Sequence, residues 1–470
     1  MKRFSILLAA AALFGAITGC QKEPAGGDAP ENTNSYVSFT INFNSDVTKA
    51  DYADPGVTAP GTPAEHEVKN AYLYFFKDSK YVSTITIAAE YITSASIAGN
   101  AVKKTTVPTL LDADTYNVYA TLNYEVTGMT AGTTTEDQFK AMTCNFLPTS
   151  FNVTTSGVPM SSRSSAGVMC ETVTLTSANT KDNPLEFALD MERMIAKIQA
   201  KKSASYTIYE DRATSGTPVA TAVLTGYKAV NLTKNANVFR HVSTHGFGEL
   251  TGDGTGVTNY VVEPTTALKV VPVAPMDYAN EVGASDAYTN WNTTDLTHVI
   301  YCAENTIPTA AAQYTDYATA LAFTATLTPA TGKYYETASD GGAGTYTPGA
   351  DLWYYNDCFY ASLAVLNDVN ALSLTDSDYG KFGVKKFVGG VCYYTYYISH
   401  ISNGNPEEMS LMEYAIVRNN DYQVTVTQVV AVGNDVPAVK SQPIEMVETF
   451  FQATLTVRPW VVRAQDAVLG

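Results

Sequence analysis

The first regular pattern in the chain runs from Ser35 to Asn44, where apolar and polar residues alternate. The apolar positions are Val37, Phe39, Ile41 and Phe43, and the polar positions are Ser38, Thr40, Asn42 and Asn44. Neighbouring side chains of a β-strand point to opposite faces of the sheet. The pattern therefore predicts a strand with one buried face and one face in contact with water.

A second strong alternation closes the chain in a predicted strand at 450–462. Its apolar positions are Phe451, Ala453, Leu455, Val457 and Trp460. Further strands are predicted over residues 68–76, 81–87, 185–200, 219–232, 260–273, 298–303, 320–328 and 422–430. Residues 107–123 are predicted to contain a turn that leads into a central strand, 134–142 to form a short helix and 159–162 to form a loop, and 387–400 is notably aromatic. Short strands separated by turn-forming residues predict an all-β protein built from β-sandwiches.

Composition supports this class and excludes one kind of partner. The chain has 470 residues, of which 31 are Tyr and only 16% are charged, and its formal net charge is -17. The length is sufficient for two or three domains, and the residue usage favours strands over long helices. A surface this acidic argues against a nucleic-acid partner, because phosphates repel it.

The N-terminus has the features of an export signal. Lys2 and Arg3 precede an apolar run that is too short to be a comfortable membrane span. The run ends in Ile17-Thr18-Gly19-Cys20, which resembles a bacterial lipobox. We therefore expect a signal peptide at 1–19 and a lipidated Cys20 followed by a polar tether. The alternative is an ordinary secretory signal that contains a cysteine.

The polar segment after the first strand is a candidate cleavage site. Lys49 and Ala50 lie in a stretch with Asp and Pro residues that a protease can reach. A strand that is joined to the body by a cleavable loop can act as a removable plug. Its loss would leave an apolar groove and an unpaired sheet edge that another strand can fill.

Catalytic and metal-binding patterns are weak. Five cysteines remain after Cys20, without a CxxC pair, so neither a disulfide framework nor a zinc site is predicted. His241 and His245 have helical metal-pair spacing, but Gly246 follows at once and argues against a helix there. Asp376 and Asp378 lack the later ligands of a calcium loop. We predict no catalytic, cofactor or metal site.

Several segments together resemble a known family. They are residues 70–76, 116–123, 158–161, 191–198, 301–306, 392–400 and 414–424, with Pro459-Trp460 behind them. The most specific is Tyr-Ala-Ile-Val-Arg-Asn-Asn-Asp-Tyr-Gln-Val at 414–424. With these segments the chain resembles the fimbrillins, the major fimbrial subunits of the type V pili of Bacteroidales, and particularly their shorter-fimbria branch.

The resemblance implies two transthyretin-like β-sandwich domains, which we place at 50–232 and 233–470. It also implies a lipoprotein precursor that is exported to the outer membrane and cut after its first strand. The C-terminal strand of a neighbouring subunit then fills the vacated groove. Because each such contact is head-to-tail and does not close, it propagates a filament.

Mapped onto this chain, the propeptide is 20–49, cleavage falls between Lys49 and Ala50, and the removable strand carries Val37, Phe39, Ile41 and Phe43. The donor residues are Phe451, Ala453, Leu455, Val457 and Trp460. One feature departs from the family, whose best-known processing follows Arg. This chain has no Arg between Arg3 and Arg163, so the protease must accept Lys.

The leading hypothesis is a polymerising pilin of the cell surface that supports adhesion and biofilm formation. Its expected partners are further copies of itself, anchor and tip subunits, the processing protease and, before processing, the outer membrane. An uncut chain would remain lipid-anchored and act as an anchor or tip component. A third hypothesis is a glycan-binding surface lipoprotein, in which the aromatic run Tyr393–Tyr397 stacks against sugars rather than packing between sheets.

Overall fold

The computed structural model describes residues 35–42, 59–97, 100–108, 111–146, 151–163, 168–201, 203–243, 260–278, 299–378, 382–400, 409–437, 440–447 and 450–461. Within these residues the protein is all-β, with short helices in the connections. No helix there has the length and apolar character needed to cross a membrane.

The strands in the first part of the chain are β1 (Tyr36–Asn42), β2 (Ala59–Pro60), β3 (Asn70–Lys77), β4 (Lys80–Ala88), β5 (Thr93–Ile97), β6 (Asn100–Pro108), β7 (Thr115–Leu122), β8 (Thr143–Asn145), β9 (Met160–Ser162), β10 (Glu171–Thr174), β11 (Leu185–Arg193), β12 (Ala196–Lys201) and β13 (Tyr206–Tyr209). The remaining strands are β14 (Pro218–Val230), β15 (Asn235–Asn237), β16 (His241–Val242), β17 (Val261–Val262), β18 (Ile300–Cys302), β19 (Ala320–Pro329), β20 (Tyr334–Tyr335), β21 (Leu352–Tyr355), β22 (Cys358–Tyr360), β23 (Lys385–Phe387), β24 (Val391–Tyr397), β25 (Asn420–Val429) and β26 (Phe451–Val461). The α-helices are α1 (Glu136–Lys140), α2 (Val153–Ser156) and α3 (Leu363–Asn370).

Among the described residues these strands form three larger sheets and several small ones. The first sheet has the order β4-β3-β7-β9-β11-β1-β6-β5, and β10 also pairs with β7. The second has the order β18-β12-β25-β26-β2, and the third has the order β13-β14-β19-β24. A four-stranded sheet of β20, β22, β21 and β23 lies in the connection from β19 to β24.

The buried apolar side chains divide into two main clusters. The first cluster runs from Val37 to Ile195 and is completed by side chains at 236–239 and by Ala303. The second begins at Ala196 and contains side chains from β12, β14, β19 and β25. The chain therefore passes between the two cores near residues 195, 233 and 303. We call the region where the two cores meet the joint.

The predicted domain limit at 232/233 can be compared with these clusters. Strands β12, β13 and β14 precede residue 233 and contribute to the second core. Ala236, Val238 and Phe239 follow it and contribute to the first. The assignment of both cores to transthyretin-like sandwiches stays a prediction.

Most predicted elements match the structure, and three differ. The helix predicted at 134–142 forms α1, and Thr135 and Gln138 make the capping box. The predicted loop at 159–162 contains β9, because Met160 and its neighbours pair with β11. The single strand predicted at 185–200 breaks into β11 and β12. The strand predicted at 260–273 shrinks to β17, followed by a 3-10 helix at Thr266–Leu268.

Candidate functional site

The first strand fills a gap inside a sheet. Strand β1 runs parallel to β11, with Val37 opposite Leu185 and Asn42 opposite Asp190. On its other side β1 runs antiparallel to β6, from Tyr36↔Pro108 to Asn42↔Val102. Both edges of β1 are therefore bonded to other strands. We call the gap between β6 and β11 the strand slot.

The apolar face of β1 is fully buried in the slot. Val37, Phe39 and Ile41 are each 0% exposed. The Phe39 ring stacks on that of Phe187 in β11, with 6.1 Å between the ring centroids. The two bonded edges give any strand in the slot affinity through main-chain hydrogen bonds. The buried apolar positions, which alternate with polar ones, give it a defined register.

The prediction that the polar face of β1 contacts water is wrong at Ser38. Its side chain is buried, and among the described residues its hydroxyl has no hydrogen-bond partner. Thr40 on the same face is half-buried. This face of the sheet is therefore covered at Ser38, which the alternation alone does not reveal.

The terminal strand lies in the other core. Strand β26 pairs antiparallel with β25, from Asn420↔Pro459 to Val429↔Phe451. Ala453 is half-buried against the second core, together with Phe450. The Nζ of Lys385 lies 4.7 Å from the centroid of the Phe450 ring, where a cation stabilises the contact. The backbones of Leu455, Val457 and Trp460 belong to β26, so the predicted donor set is placed on one strand.

The outer edge of β26 meets a short segment from near the start of the chain. Strand β2 pairs parallel with it at Ala59↔Trp460 and Pro60↔Val461. The sequence patterns did not predict this contact, because two residues carry no periodicity. The slot and β26 thus belong to different cores, and β26 would have to leave β25 to occupy a slot in another subunit.

The segment just after β2 is fixed in the joint by a buried carboxylate. The hydroxyl of Tyr301 donates to Glu65 at 2.7 Å, and Lys197 Nζ lies 3.3 Å from the same carboxylate. Burial raises the pKa of Glu65, but Lys197 and Tyr301 outweigh it, and the pKa ends below its usual value. Lys197 also lies 3.5 Å from Asp421.

A second group of buried charges crosses the joint. Arg418 is 0% exposed and pairs with Glu304 at 2.8 Å, while Glu192 at the end of β11 pairs with Arg240 at 2.7 Å. Their positions along the chain make Glu192/Arg193 and Glu413/Arg418 candidates for structural ion pairs. The structure places Arg193 against the Asn419 side chain and Glu413 against Ser410.

The remaining candidates from the sequence are the His and Asp metal ligands and the aromatic run. In the described part of the chain, no group of three His, Cys, Asp or Glu side chains is arranged to hold a metal ion. His241 contacts the main-chain carbonyl of Lys140 at 3.0 Å. In the aromatic run, Tyr394 is buried in the second core, whereas Tyr393 and Tyr396 are half-buried.

Four predicted site residues lie outside the described residues. They are Cys20, Phe43, Lys49 and Ala50. One wall of the slot, formed by β6 with its partner β5, is the part that sequence reasoning missed. No strand was predicted at 93–106, because the alternation of apolar residues there is too weak to separate β5 and β6 from a loop.

Comparison with protein families gives two matches. A model described as "Major fimbrial subunit protein (FimA)" matches residues 35–220, which include the slot. A model described as "Major fimbrial subunit protein type IV, Fimbrillin, C-terminal" matches residues 385–466, which include β25 and β26. Together they match more than half of the chain. Comparison with curated proteins gives no match.

Solved structures with a similar course of the chain include three from two organisms. A fimbrilin (FimA) from Porphyromonas gingivalis W83 has 16% identity and a TM-score of 0.45, covering 92% of this chain and 99% of that one. The tip fimbrial protein Mfa3 from Porphyromonas gingivalis has 11% identity and a TM-score of 0.34, covering 90% and 100%. A fimbrial assembly protein from Parabacteroides distasonis has 12% identity and a TM-score of 0.30, covering 63% and 99%.

Proposed function

Because the chain belongs to the fimbrillin family of major fimbrial subunits, we propose that it is a stalk subunit that polymerises by strand exchange. The observation that carries the proposal is the position of β1, bonded on both edges and buried through Val37, Phe39 and Ile41. A strand in this position can be replaced only by another strand with the same alternation.

We propose the following order of events. The precursor is lipidated at Cys20, reaches the outer membrane and is cut between Lys49 and Ala50. The segment that carries Val37, Phe39, Ile41 and Phe43 is then released from the subunit. The strand of the next subunit that carries Phe451, Ala453, Leu455, Val457 and Trp460 enters the slot, and repetition gives a fimbria that supports adhesion and biofilm formation.

Two features support the choice of donor and acceptor. The predicted first strand and the terminal strand share an alternation of four apolar residues, Val37 to Phe43 in one sequence and Phe451 to Val457 in the other. Strand β26 also lies next to the sheet edge, where its outer side pairs with β2 over two residues only. A strand in that position leaves its sheet without breaking a second long ladder.

The test is mass spectrometry of the N-terminus of protein sheared from cells, together with electrophoresis of unheated samples. We expect an N-terminus at Ala50 and a ladder of oligomers that collapses to monomer on boiling. A Lys49→Gln variant provides the control, since it should stay uncut and monomeric.

The opposite result would support one of the alternative functions. An intact lipidated Cys20 on a protein that is only monomeric contradicts the stalk proposal. It would instead favour an anchor or tip component, or a glycan-binding lipoprotein. Purified protein binding to a glycan array would then separate the last of these from the first two.

A further inference from the structure

The hairpin of β5 and β6 is joined to the sheet by one strand. Among the described elements, β6 pairs with β1 and β5, and β5 pairs with β6 alone. The whole length of β1, Tyr36–Asn42, is opposite β6. Strand β1 is therefore the bridge between this hairpin and the strands β11, β9 and β7.

The sequence of the hairpin is rich in Ser, Thr and Lys. It reads Thr-Ser-Ala-Ser-Ile in β5 and Asn-Ala-Val-Lys-Lys-Thr-Thr-Val-Pro in β6. An isolated two-stranded hairpin is marginally stable in water without an apolar face to pack. Main-chain hydrogen bonds to β1 are thus a large part of what holds it in place.

The opposite wall of the slot is supported differently. The end of β11 pairs with β9 through Met191, Glu192 and Arg193. Leu189 and Met191 are buried in the first core, and Glu192 is tied to Arg240 in the joint. Strand β11 therefore keeps attachments when the slot is vacated, whereas the hairpin loses the strand that holds it.

We propose that the hairpin β5–β6 is a flap that keeps its place only while a strand occupies the slot. This inference rests on the proposed function, in which the occupant is first β1 and later the terminal strand of a second copy of the chain. The acceptor is then one fixed wall and one wall that forms on the incoming strand. Ordering the flap costs conformational entropy, which each new contact must repay.

A consequence follows for the exchange itself. A vacated slot lacks half of its main-chain partners until the flap returns, so it is a poor template for a free strand. Exchange is therefore favoured when the incoming strand displaces β1 stepwise while the flap remains bonded to one of the two. The flap in this way makes the slot selective for a strand that can bond along both edges.

The test is hydrogen exchange of the uncut, full-length precursor, followed by mass spectrometry in mild denaturant. We expect the amides of residues 100–107 to open together with those of β1, and to exchange at least about tenfold faster than those of β3 and β7. Hairpin amides that stay protected after the β1 amides have opened would overturn the proposal.

A variant provides a second, independent arm. Phe39→Asp should expel β1 and raise exchange in 93–108 by about tenfold or more, with β3 and β12 unchanged. Thr40→Asp is the control, because Thr40 is half-buried on the other face of β1 and should leave the hairpin protected. If Phe39→Asp unfolds the whole first core, the denaturant series on the unaltered chain still decides.

Neither arm requires cleavage or polymerisation. A flap that opens with β1 in a protein that never forms a ladder would sustain this inference and contradict the stalk proposal. An oligomer ladder from the cell-surface protein, together with a precursor whose hairpin stays protected after β1 has opened, would do the reverse.

Discussion

His400 shows how one half-buried side chain makes the fold sensitive to acid. Its ring Nδ1 lies 2.8 Å from the hydroxyl of Tyr422, and that hydroxyl already accepts the amide hydrogen of Val417 at 2.8 Å. The hydroxyl can donate to Nδ1 only while that ring nitrogen is unprotonated. Burial, aided by Arg240, lowers the pKa of His400 from 6.5 to about 4.

The sign of the effect on stability follows from this shift. Between pH 6.5 and about 4 the unfolded chain binds a proton at His400 that the folded protein does not. The stabilisation is therefore full above pH 6.5 and is lost as the pH falls. We expect the free energy of unfolding to drop by about 2 kcal/mol between pH 7 and pH 5 from this group alone.

Urea unfolding at the two pH values measures this drop. A His400→Gln variant should have a lower free energy of unfolding at pH 7 than the original protein. Its free energy of unfolding should also fall less between pH 7 and pH 5. An identical pH dependence in the variant and the original protein would contradict the assignment.

At the scale of elements, β1 and β26 are matched by pattern and differ in surroundings. Strand β1 is central, and its Ser38 is buried between two neighbours. Strand β26 has one long partner, β25, and a two-residue contact with β2. Displacing β26 from its own sheet therefore breaks one long ladder of hydrogen bonds, whereas displacing β1 breaks two. The release of β1 thus costs more, which is consistent with the proposal that the chain is cut before β1 leaves.

The donor assignment gives a prediction at this scale. Leu455→Asp should abolish the oligomer ladder in unheated gels, because an unpaired carboxylate in an apolar slot costs several kcal/mol. Thr456→Asp is the matched control on the opposite side of the strand and should retain the ladder. Thermal unfolding of both monomers checks that each still folds. A normal ladder from Leu455→Asp would show that the donor lies elsewhere.

At the scale of the whole molecule, buried charges tie the two cores together at the joint. The guanidinium of Arg418 donates to the main-chain carbonyls of Asn237 and Val238 and to the carboxylate of Glu304. Val238 packs in the first core, whereas Ile416, two residues before Arg418, packs in the second. Burial alone would lower the pKa of Arg418, but Glu304 and Glu192 raise it above its usual value.

Removing this cation should weaken the attachment of one core to the other. We expect Arg418→Met to lower the free energy of unfolding by about 3–5 kcal/mol, because Glu304 is left as an unpaired buried charge. Lys69→Met breaks the exposed pair with Glu67 and should cost less than about 1 kcal/mol. Denaturant unfolding of both variants makes the comparison, and equal losses would contradict a special role for the joint.

Local patterns were sufficient for the elements with strong periodicity. The period of two in Val37 to Ile41 predicted a strand with a fully buried face, and the capping box of Thr135 and Gln138 predicted α1. Periodicity was too weak to predict β5 and β6, which are rich in Ser, Thr and Lys and which form by pairing, β6 with β1 and β5 with β6. The loop predicted at 159–162 was wrong for a similar reason, because Met160 lies in a strand that forms by pairing with β11.

The sequence by itself therefore determined the all-β class, the family and the faces of β1 and β26, because these depend on the order of neighbouring residues. Only the tertiary structure decided which strands form the walls of the slot and that Ser38 is buried. It also decided that Glu192 pairs with the distant Arg240, a partner that the neighbouring residue Arg193 does not indicate. Such contacts join residues far apart in the sequence, so their energies depend on how the whole chain packs and not on any local pattern.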